Sequence, residues 1–349
     1  MDPVLINLIV SHSMLVLTAV AAFGYLHHVQ IERPPIGVFN LRDVGFTVVV
    51  LSVIPLLYLH LPRWLLASVL TSLGFALTIQ ALAPLVGRPI RIATAVALCG
   101  TEVGLVISGH AGTPVFHAVN DLALLILAVG ICNSWAQSGL RARDVAIFAV
   151  VVAGYDLVST GLLSTTVELA RRLSGLPFVP WLGWGTGSDA AFTGLGDLLF
   201  ITLWPLVAAK AYSAAAGRAA MVVTMGCIAV TTTLTLAGLL TGAIPTMVLV
   251  GPAIAAHWWW LHRRHPKERT AGEFEAARHP GLPSEPRYER PDADLAAALA
   301  LLAGPPPSSA YHAVHGGVVI ASGDDAAAVM DAAGRREPTA VPVLVFTHG

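Results

Sequence analysis

Charged residues are scarce in this chain of 349 residues. Asp, Glu, Lys and Arg make up 12% of it, about half the share that soluble globular domains carry. Hydrophobic residues make up 55% and are grouped in long apolar blocks. Because a helix needs about 20 apolar residues to cross the hydrocarbon of a bilayer, this composition excludes an ordinary soluble domain. It predicts an all-α polytopic membrane protein.

Cysteine and clustered basic residues are also lacking. The three cysteines, Cys99, Cys132 and Cys227, lie inside apolar blocks, so neither a disulfide framework nor a cysteine metal site is indicated. None of the 13 histidines falls in an HExxH pattern, which argues against a zinc protease. We therefore expect no metal and no other cofactor. The formal net charge of −1, with scattered basic residues, predicts no nucleic-acid partner.

Nine apolar runs are long enough to be membrane-spanning helices. They cover roughly residues 4–26, 44–61, 64–86, 92–108, 119–137, 144–166, 190–211, 219–241 and 243–261. The first run is preceded by no basic residue, so we interpret it as a retained helix rather than a cleaved signal peptide. The bilayer is accordingly the expected surroundings of residues 1–262.

The loops between these runs differ in their content of Lys and Arg. One set, together with the start of the tail, contains Arg33, Arg42, Arg88, Arg91, Arg141, Arg143, Lys210, Arg218, Arg263, Arg264, Lys267 and Arg269. The other set contains only Arg63, Arg171 and Arg172. Lys and Arg favour the cytoplasmic side. The alternation therefore predicts nine spans in the plasma membrane, with the N-terminus outside and the C-terminus in the cytoplasm.

The tail begins after Trp258-Trp259-Trp260, which we interpret as an interfacial aromatic anchor. Residues 263–309 are rich in proline and charge and predict a linker with one short helix at 292–303. Residues 310–349 predict a small cytoplasmic α+β module of ββαβ order, with its first turn at His315-Gly316-Gly317. A unit of about 40 residues is marginal alone. We therefore expect it to bind a cytoplasmic partner or a second copy of itself.

Four acidic residues fall within or at the edge of the predicted spans: Glu102, Asp121, Asp156 and Asp197. An aspartate at the centre of a spanning helix costs about 2.5–3.5 kcal/mol on insertion scales, so each acid needs a compensating role. For Glu102, which lies within a GxxxG packing pattern, and for Asp121, we favour a structural role as hydrogen-bonded groups facing the bundle interior.

Asp156 and Asp197 have a different sequence context. Asp156 follows Tyr155 near the middle of the sixth run, and Asp197 closes Gly194-Leu195-Gly196-Asp197 in the seventh. Consecutive antiparallel helices can bring the two carboxyls to a similar depth, where the pair would hold one shared proton. Such a pair can activate water against a peptide bond. The two glycines either admit a substrate backbone beside Asp197 or serve plain helix packing.

These motifs resemble the presenilin and signal peptide peptidase family, the intramembrane aspartyl proteases of GxGD type. The resemblance consists of Tyr-Asp in the sixth run, Gly-Leu-Gly-Asp in the seventh of nine, and a proline at the head of the ninth. The family has Pro-Ala-Leu at that last place, where this chain has Pro245-Thr246-Met247. The predicted orientation is that of signal peptide peptidases and opposite to that of presenilins.

The resemblance implies a function and a set of site residues. Asp156 and Asp197 would be the catalytic dyad of a hydrolase that cleaves transmembrane-helix peptides. The residues that would position the acids or shape the site are Tyr155, Gly194, Leu195, Gly196, Pro245, Thr246 and Met247. An unwound substrate would pair as an extended strand near the 167–189 loop and the ninth helix. That loop is either a gate on the outer face or an interfacial loop anchored by Trp181 and Trp184.

Three other functions stay open at this point. A proton-coupled transporter would use intramembrane acids, including Glu102 and Asp121, as a relay. A prepilin-type peptidase would also use a Gly-x-Gly-Asp aspartate, but it would need a site exposed on the cytoplasmic side. A catalytically inactive scaffold would present residues 310–349 to a cytoplasmic partner.

Overall fold

The protein divides into two compact units, and among the described residues the first comprises those up to Glu268 and the second those from Arg269 onward. The computed structural model describes residues 3–31, 41–138, 140–163, 165–184, 191–237, 239, 245–269, 273–274, 277, 291–304, 308–337 and 342–347. Each unit has a core of its own.

The first unit is mostly helical. Its helices are α1 (Pro3–His28), α2 (Leu41–His60), α3 (Arg63–Leu82), α4 (Arg88–Ile107), α5 (Pro114–Gln137), α6 (Ala142–Asp156), α7 (Thr165–Leu173), α8 (Leu195–Ala211), α9 (Ala214–Leu236) and α10 (Met247–Arg264). A π-helical segment, Leu157–Leu162, continues α6. Every one of the nine predicted runs overlaps one of these helices.

Within the described residues, seven helices are long and apolar enough to cross a membrane. They are α1 to α5, α6 together with its π-helical continuation, and α9. The runs predicted at 190–211 and 243–261 contain α8, with 17 residues, and α10, which ends in a polar HWWWLHRR segment. The chain is therefore a multi-pass membrane protein.

The prediction of an all-α membrane unit was wrong in one respect, because this unit contains a β-hairpin. Strand β1 (Trp181–Trp184) pairs antiparallel with β2 (Ala191–Gly194), and Trp181 lies opposite Gly194. Residues 185–190 lie outside the described part of the chain. The sequence pattern missed β2 because its apolar residues run without a break into those of α8, and periodicity does not separate a short buried strand from a helix.

Helix α8 occupies the centre of the bundle. It contacts α1, α5, α6, α9 and α10, and all of its residues from Phe200 to Ala211 are buried. Trp204 is the largest side chain that is fully buried in the described chain. A helix that is apolar on every side, as α8 is, requires such surroundings.

Close helix contacts fix how α6 and α10 lie against each other. A Cβ at Gly251 of α10 would come within 2.5 Å of the Ala149 carbonyl oxygen and 2.7 Å of the Ala153 Cβ, both on α6. The missing side chain at Gly251 thus allows the two backbones to touch. This contact lies one turn from the residues at the head of α10 and on the side of α6 that leads to Asp156.

The second unit contains a three-stranded antiparallel sheet of order β4-β3-β5. Its elements are α11 (Pro291–Ala303), β3 (Tyr311–His315), β4 (Val318–Gly323), α12 (Ala326–Arg336) and β5 (Val343–Phe346). The predicted order of two strands, a helix and a third strand is confirmed. Gly316 and Gly317 have φ of 62° and 82°, as a two-residue hairpin turn with positive φ at both positions requires.

Helix α11 differs from its predicted place in a linker, because it packs on one face of this sheet. Ala298 of α11 shares a core with Val314 and Val345, while α12 covers the opposite face. The buried Asp294 carboxylate accepts a hydrogen bond of 2.7 Å from the Gly317 amide. The apolar residues of α11 surround the helix, so the sequence did not reveal which face would be buried.

Candidate active site

Asp156 lies where α6 passes into the π-helical segment. The Thr160 hydroxyl donates to Asp156 Oδ1 at 2.8 Å, and the Met247 amide donates to Asp156 Oδ2 at 3.2 Å. Both carboxylate oxygens therefore accept a hydrogen bond. The wider π-helical turn brings Thr160 back over Asp156, and such segments are frequent at functional sites.

Asp197 lies in the first turn of α8, which begins at Leu195, whereas the run predicted at 190–211 placed this acid about two turns inside a helix. Gly194 is the N-cap of α8, and its amide donates to the Asp197 carboxylate. An acid at this third helical position satisfies a backbone donor that the helix start leaves unpaired. Part of the reason for an aspartate here is thus local helix capping.

Asp156 and Asp197 lie in the same part of the bundle. The Asp156 carboxylate lies within electrostatic range of Asp197. Near them, the rings of Phe148 on α6 and Phe200 on α8 pack with centroids 5.0 Å apart. Both aspartates are only partly buried as whole residues.

Two helix N-termini converge on the pair. Asp197 sits at the start of α8, and the Met247 amide that binds Asp156 belongs to the first residue of α10. The N-terminus of a helix carries a partial positive charge, which stabilises a nearby anion. This arrangement lowers the cost of a negative charge on either carboxylate.

The predicted residues at the head of α10 border the site. Met247 is buried, whereas Pro245 and Thr246 are partly exposed, and Thr246 is the N-cap of α10. The backbone of Met247, not its side chain, reaches Asp156. Since the backbone makes this hydrogen bond, it does not depend on which side chains occupy positions 246 and 247.

The two glycines before Asp197 face open space. A Cβ at Gly196 would have no atom of a described residue within 4 Å, apart from its own helix and sequence neighbours. At Gly194 the nearest atom would be Asp197 Oδ2, at an ordinary 3.5 Å. Neither glycine has a positive φ. Helix packing against the described residues therefore does not explain Gly196, in contrast to Gly251, while Gly194 occupies the N-cap of α8, where glycine is favoured.

Tyr155 and Leu195 have local partners of their own. The Tyr155 and Ser159 hydroxyls share a hydrogen bond, and Thr166 donates to the buried Ser159 at 3.2 Å. Tyr155 thus ties α6 to the start of α7, while Thr160 is the residue that holds Asp156. The Leu195 amide donates to the Pro180 carbonyl at 2.9 Å, which joins the start of α8 to the hairpin.

One edge of the hairpin is covered by α5, and among the described residues none forms a hydrogen bond with the backbone of Phe192 at the other edge. The Gly183 amide donates to Asp121 at 3.1 Å, and the Trp181 carbonyl accepts from Asn120 at 3.1 Å, so α5 satisfies the outer edge of β1. Antiparallel strands alternate the direction of their backbone groups. Since Leu195 bonds to Pro180, the backbone amide and carbonyl of Phe192 point away from β1.

Glu102 and Asp121 accept hydrogen bonds from backbone amides in the segment before α8. The buried Glu102 carboxylate accepts from the amide of Phe178, a residue with a φ of 53°, and Asp121 accepts from Gly183. The favoured structural role of both acids agrees with these bonds. Nothing in the local sequence links either acid to its partner, which lies more than 60 residues away.

Arginine side chains also hold the segment between α7 and β1 to the bundle. The Arg172 guanidinium donates to the carbonyls of Tyr58 and Leu61, and Arg63 donates to the Ser174 carbonyl at 2.8 Å. Trp181 contacts Phe192, with ring centroids 5.9 Å apart. The side chain of Trp184, the other predicted anchor, lies outside the described part of the chain. The start of the loop is therefore held to the bundle.

Sequence reasoning missed Thr160 and Asn120. A threonine four residues after an acid on a helix is the only signal that pointed to Thr160, and the signal is common. Among the residues that the structure describes, no group of three or more His, Cys, Asp or Glu side chains is placed to hold a metal ion.

Comparison with known proteins adds no relative. No protein-family model matches the chain, and the curated proteins include no significant match. The function must therefore be argued from the geometry of Asp156, Asp197 and the backbone around them.

Proposed function

We propose that this chain is an intramembrane aspartyl protease of the presenilin and signal peptide peptidase type, and that it cleaves transmembrane segments. The observation that carries the proposal is that Asp197 lies within electrostatic range of Asp156, whose carboxylate also accepts from the Met247 amide. Three parts of the sequence separated by some 40 to 50 residues supply these groups. The open space at Gly194 and Gly196 supports it further, because a substrate backbone needs that room.

The geometry suggests which of the two acids is ionised and which is protonated. Asp156, whose two oxygens both accept hydrogen bonds, suits the ionised form and takes a proton from the attacking water. Asp197 carries the shared proton and donates it to the scissile carbonyl oxygen as the water oxygen bonds to the carbonyl carbon. Asp156 then passes its proton to the amide nitrogen, the C–N bond breaks, and Asp197 regains a proton as the new carboxylic acid forms.

The substrate is proposed to bind as a strand on the open edge of β2. The Phe192 amide and carbonyl point away from β1, and β2 runs directly into the turn that holds Asp197. Main-chain pairing would unwind a substrate helix locally and bring its peptide bond to the acids. The covered edge of β1 leaves β2 as the place for such pairing.

Nine spans in the plasma membrane remain part of the proposal, with the N-terminus outside and the C-terminus in the cytoplasm. Helices α8 and α10 supply the two spans beyond the seven long ones. At 1.5 Å per residue, the 17 residues of α8 extend about 26 Å, close to the hydrocarbon thickness. The unequal distribution of Lys and Arg between the loops supports the orientation.

A cytoplasmic partner for residues 310–349 also remains a proposal. Leu295, Leu299 and Leu302 form an exposed stripe on α11, each more than half exposed. An apolar stripe with this spacing is typical of a helix that has a partner. A scaffold without catalysis would use the same surface, and only the cleavage assay separates the two functions.

The test is cleavage of a reporter with a single transmembrane helix by the purified full chain in detergent. Asp156→Asn and Asp197→Asn should each lower the rate at least 100-fold, since acid–base groups of this kind contribute about 10²–10⁴-fold. Glu102→Gln is the matched control, because glutamine keeps the acceptor for Phe178. Thermal unfolding midpoints verify that all variants fold.

Two results would reject the proposal. One is a pair of folded aspartate variants that cut as fast as the parent. The other is proton or solute flux in vesicles that depends on Glu102, which would favour the transporter. The hydrogen bonds of Glu102 and Asp121 to backbone amides weigh against that relay.

A further inference from the structure

The C-terminal end of α10 carries two stacked pairs of arginine and tryptophan. The Arg263 guanidinium lies 3.7 Å above the Trp259 ring, and that of Arg264 lies 4.0 Å above the Trp260 ring. Each arginine is one turn beyond its tryptophan. We call these four residues the Arg–Trp cluster.

The cluster is anchored in the bundle. Trp260 stacks on His257 with an interplanar angle of 23°, and His257 accepts a hydrogen bond of 3.2 Å from the indole of the buried Trp204. The position of Trp260, and hence of Arg264, is thus fixed from the core of α8. Stacking on an indole orients a guanidinium and reduces the entropy lost on binding.

The cluster faces outward, and the nearest acid along the chain does not pair with its arginines. Both arginines are exposed, as are Trp259 and Trp260 at 52% and 43%. Glu268, the nearest acid along the chain, instead accepts from the Ala142 amide and the Tyr212 hydroxyl. The N–H donors of the two guanidinium groups are therefore accessible to a ligand outside the protein.

We infer that the Arg–Trp cluster binds the headgroup of an anionic phospholipid. A stacked guanidinium leaves its fork of donors free for two oxygens of one phosphate. The first part of α10 is apolar, so the cluster lies at the boundary of the bilayer, where tryptophan rings contact acyl chains. A small soluble phosphate would leave both exposed indoles in water, which favours a lipid as the occupant.

The experiment titrates the full chain in neutral detergent with phosphatidylglycerol or phosphatidylcholine and counts bound lipids by native mass spectrometry. The parent should bind phosphatidylglycerol at least tenfold more tightly than phosphatidylcholine. Arg263→Gln combined with Arg264→Gln should weaken phosphatidylglycerol binding by roughly tenfold to thirtyfold, since each basic residue near an anionic surface contributes about fivefold. Trp259→Leu combined with Trp260→Leu should weaken binding of both lipids.

The control removes the same charge elsewhere, with Arg88→Gln and Arg218→Gln, which are exposed near the starts of α4 and α9. This variant should keep the preference for phosphatidylglycerol. Equal binding of both lipids by the parent, or an equal loss in the control, would overturn the inference. So would soluble glycerol phosphate or a single-stranded oligonucleotide displacing the lipid at equal concentration. Lipid binding is measured without any cleavage, so its failure is distinct from failure of the protease proposal.

Discussion

Thr160 holds Asp156 through a hydrogen bond of 2.8 Å in a π-helical turn. Together with the Met247 amide it fixes the plane of the carboxylate. A carboxylate held at both oxygens keeps its orientation towards the neighbouring acid. This contact is the most specific residue-level addition to the motifs read from the sequence.

Substituting Thr160 tests this role. Thr160→Val keeps the shape of the side chain and removes the donor, so we expect kcat to fall about 10- to 100-fold, the equivalent of one hydrogen bond to a charged group. Thr160→Ser should restore most of the rate. The measurement is kcat across a range of pH. A valine variant with the parent's kcat and pH profile would show that the contact has no part in positioning.

Gly196 lies beside open space, whereas Gly251 lies in a close contact between helices. Alanine substitutions at the two positions should therefore have different effects. Gly196→Ala adds a Cβ in open space, so the unfolding midpoint should stay or rise while cleavage falls at least tenfold. Gly251→Ala forces α10 away from α6 and should destabilise the fold by about 1–3 kcal/mol. Thermal unfolding and cleavage rates of both variants check this. Full activity of Gly196→Ala would mean that no substrate backbone passes there.

At the scale of elements, the β-hairpin depends on distant side chains. Asp121 and Asn120 cover the outer edge of β1, and Glu102 holds the residue with positive φ before it. These polar groups compensate for the irregular backbone that the segment places beside the bundle. Backbone inside a membrane protein needs such partners because lipid provides none.

The choice between asparagine and alanine at position 121 reveals what this acid does. Asp121→Asn retains an oxygen acceptor for the Gly183 amide, so cleavage should remain within about threefold of the parent. Asp121→Ala leaves that amide unpaired, at a cost of about 1–3 kcal/mol, and hydrogen exchange in 181–184 should speed up. Hydrogen-exchange mass spectrometry of residues 181–184 and reporter cleavage rates test both expectations. If asparagine were as harmful as alanine, the charge itself would matter, as in a proton relay.

The sequence predicted helices better than it predicted their ends. Long apolar runs identify α1 to α6 and α9 because their length is set by the bilayer. The start of α8 was misplaced because Ala191 to Gly194 include no charged residue and no proline that would mark a boundary before the helix. The aspartates were identified by motif, whereas the Met247 amide and Thr160 were not. Backbone donors carry no sequence signal.

At the scale of the whole molecule, the chain consists of two units with separate cores. The second unit needs α11 to cover one face of its sheet, and the buried Asp294 fixes that helix to the β3–β4 turn. The pattern of 310–349 alone predicted a marginal module. The helix before it supplies the missing half of the core.

Asp294→Ala should therefore loosen the second unit and leave the membrane unit intact. Losing a buried acceptor for the Gly317 amide should cost about 1–3 kcal/mol, so limited proteolysis of the full chain should release the tail faster. Asp294→Asn should behave like the parent, since it keeps an oxygen for that amide. Reporter cleavage should be unchanged in both variants. A drop in cleavage with alanine alone would show that the two units are coupled.

The open edge of β2 has a consequence for solvent. Hydrocarbon provides no partner for the amide and carbonyl of Phe192, so when no peptide lies there these groups require ordered water. If the strand edge binds substrate as proposed, it would lie in a hydrated recess close to Asp197, because β2 runs directly into the turn that holds this acid. In the proposed protease, an arriving peptide would displace part of that water, and the water left beside the acids would be the reagent for hydrolysis.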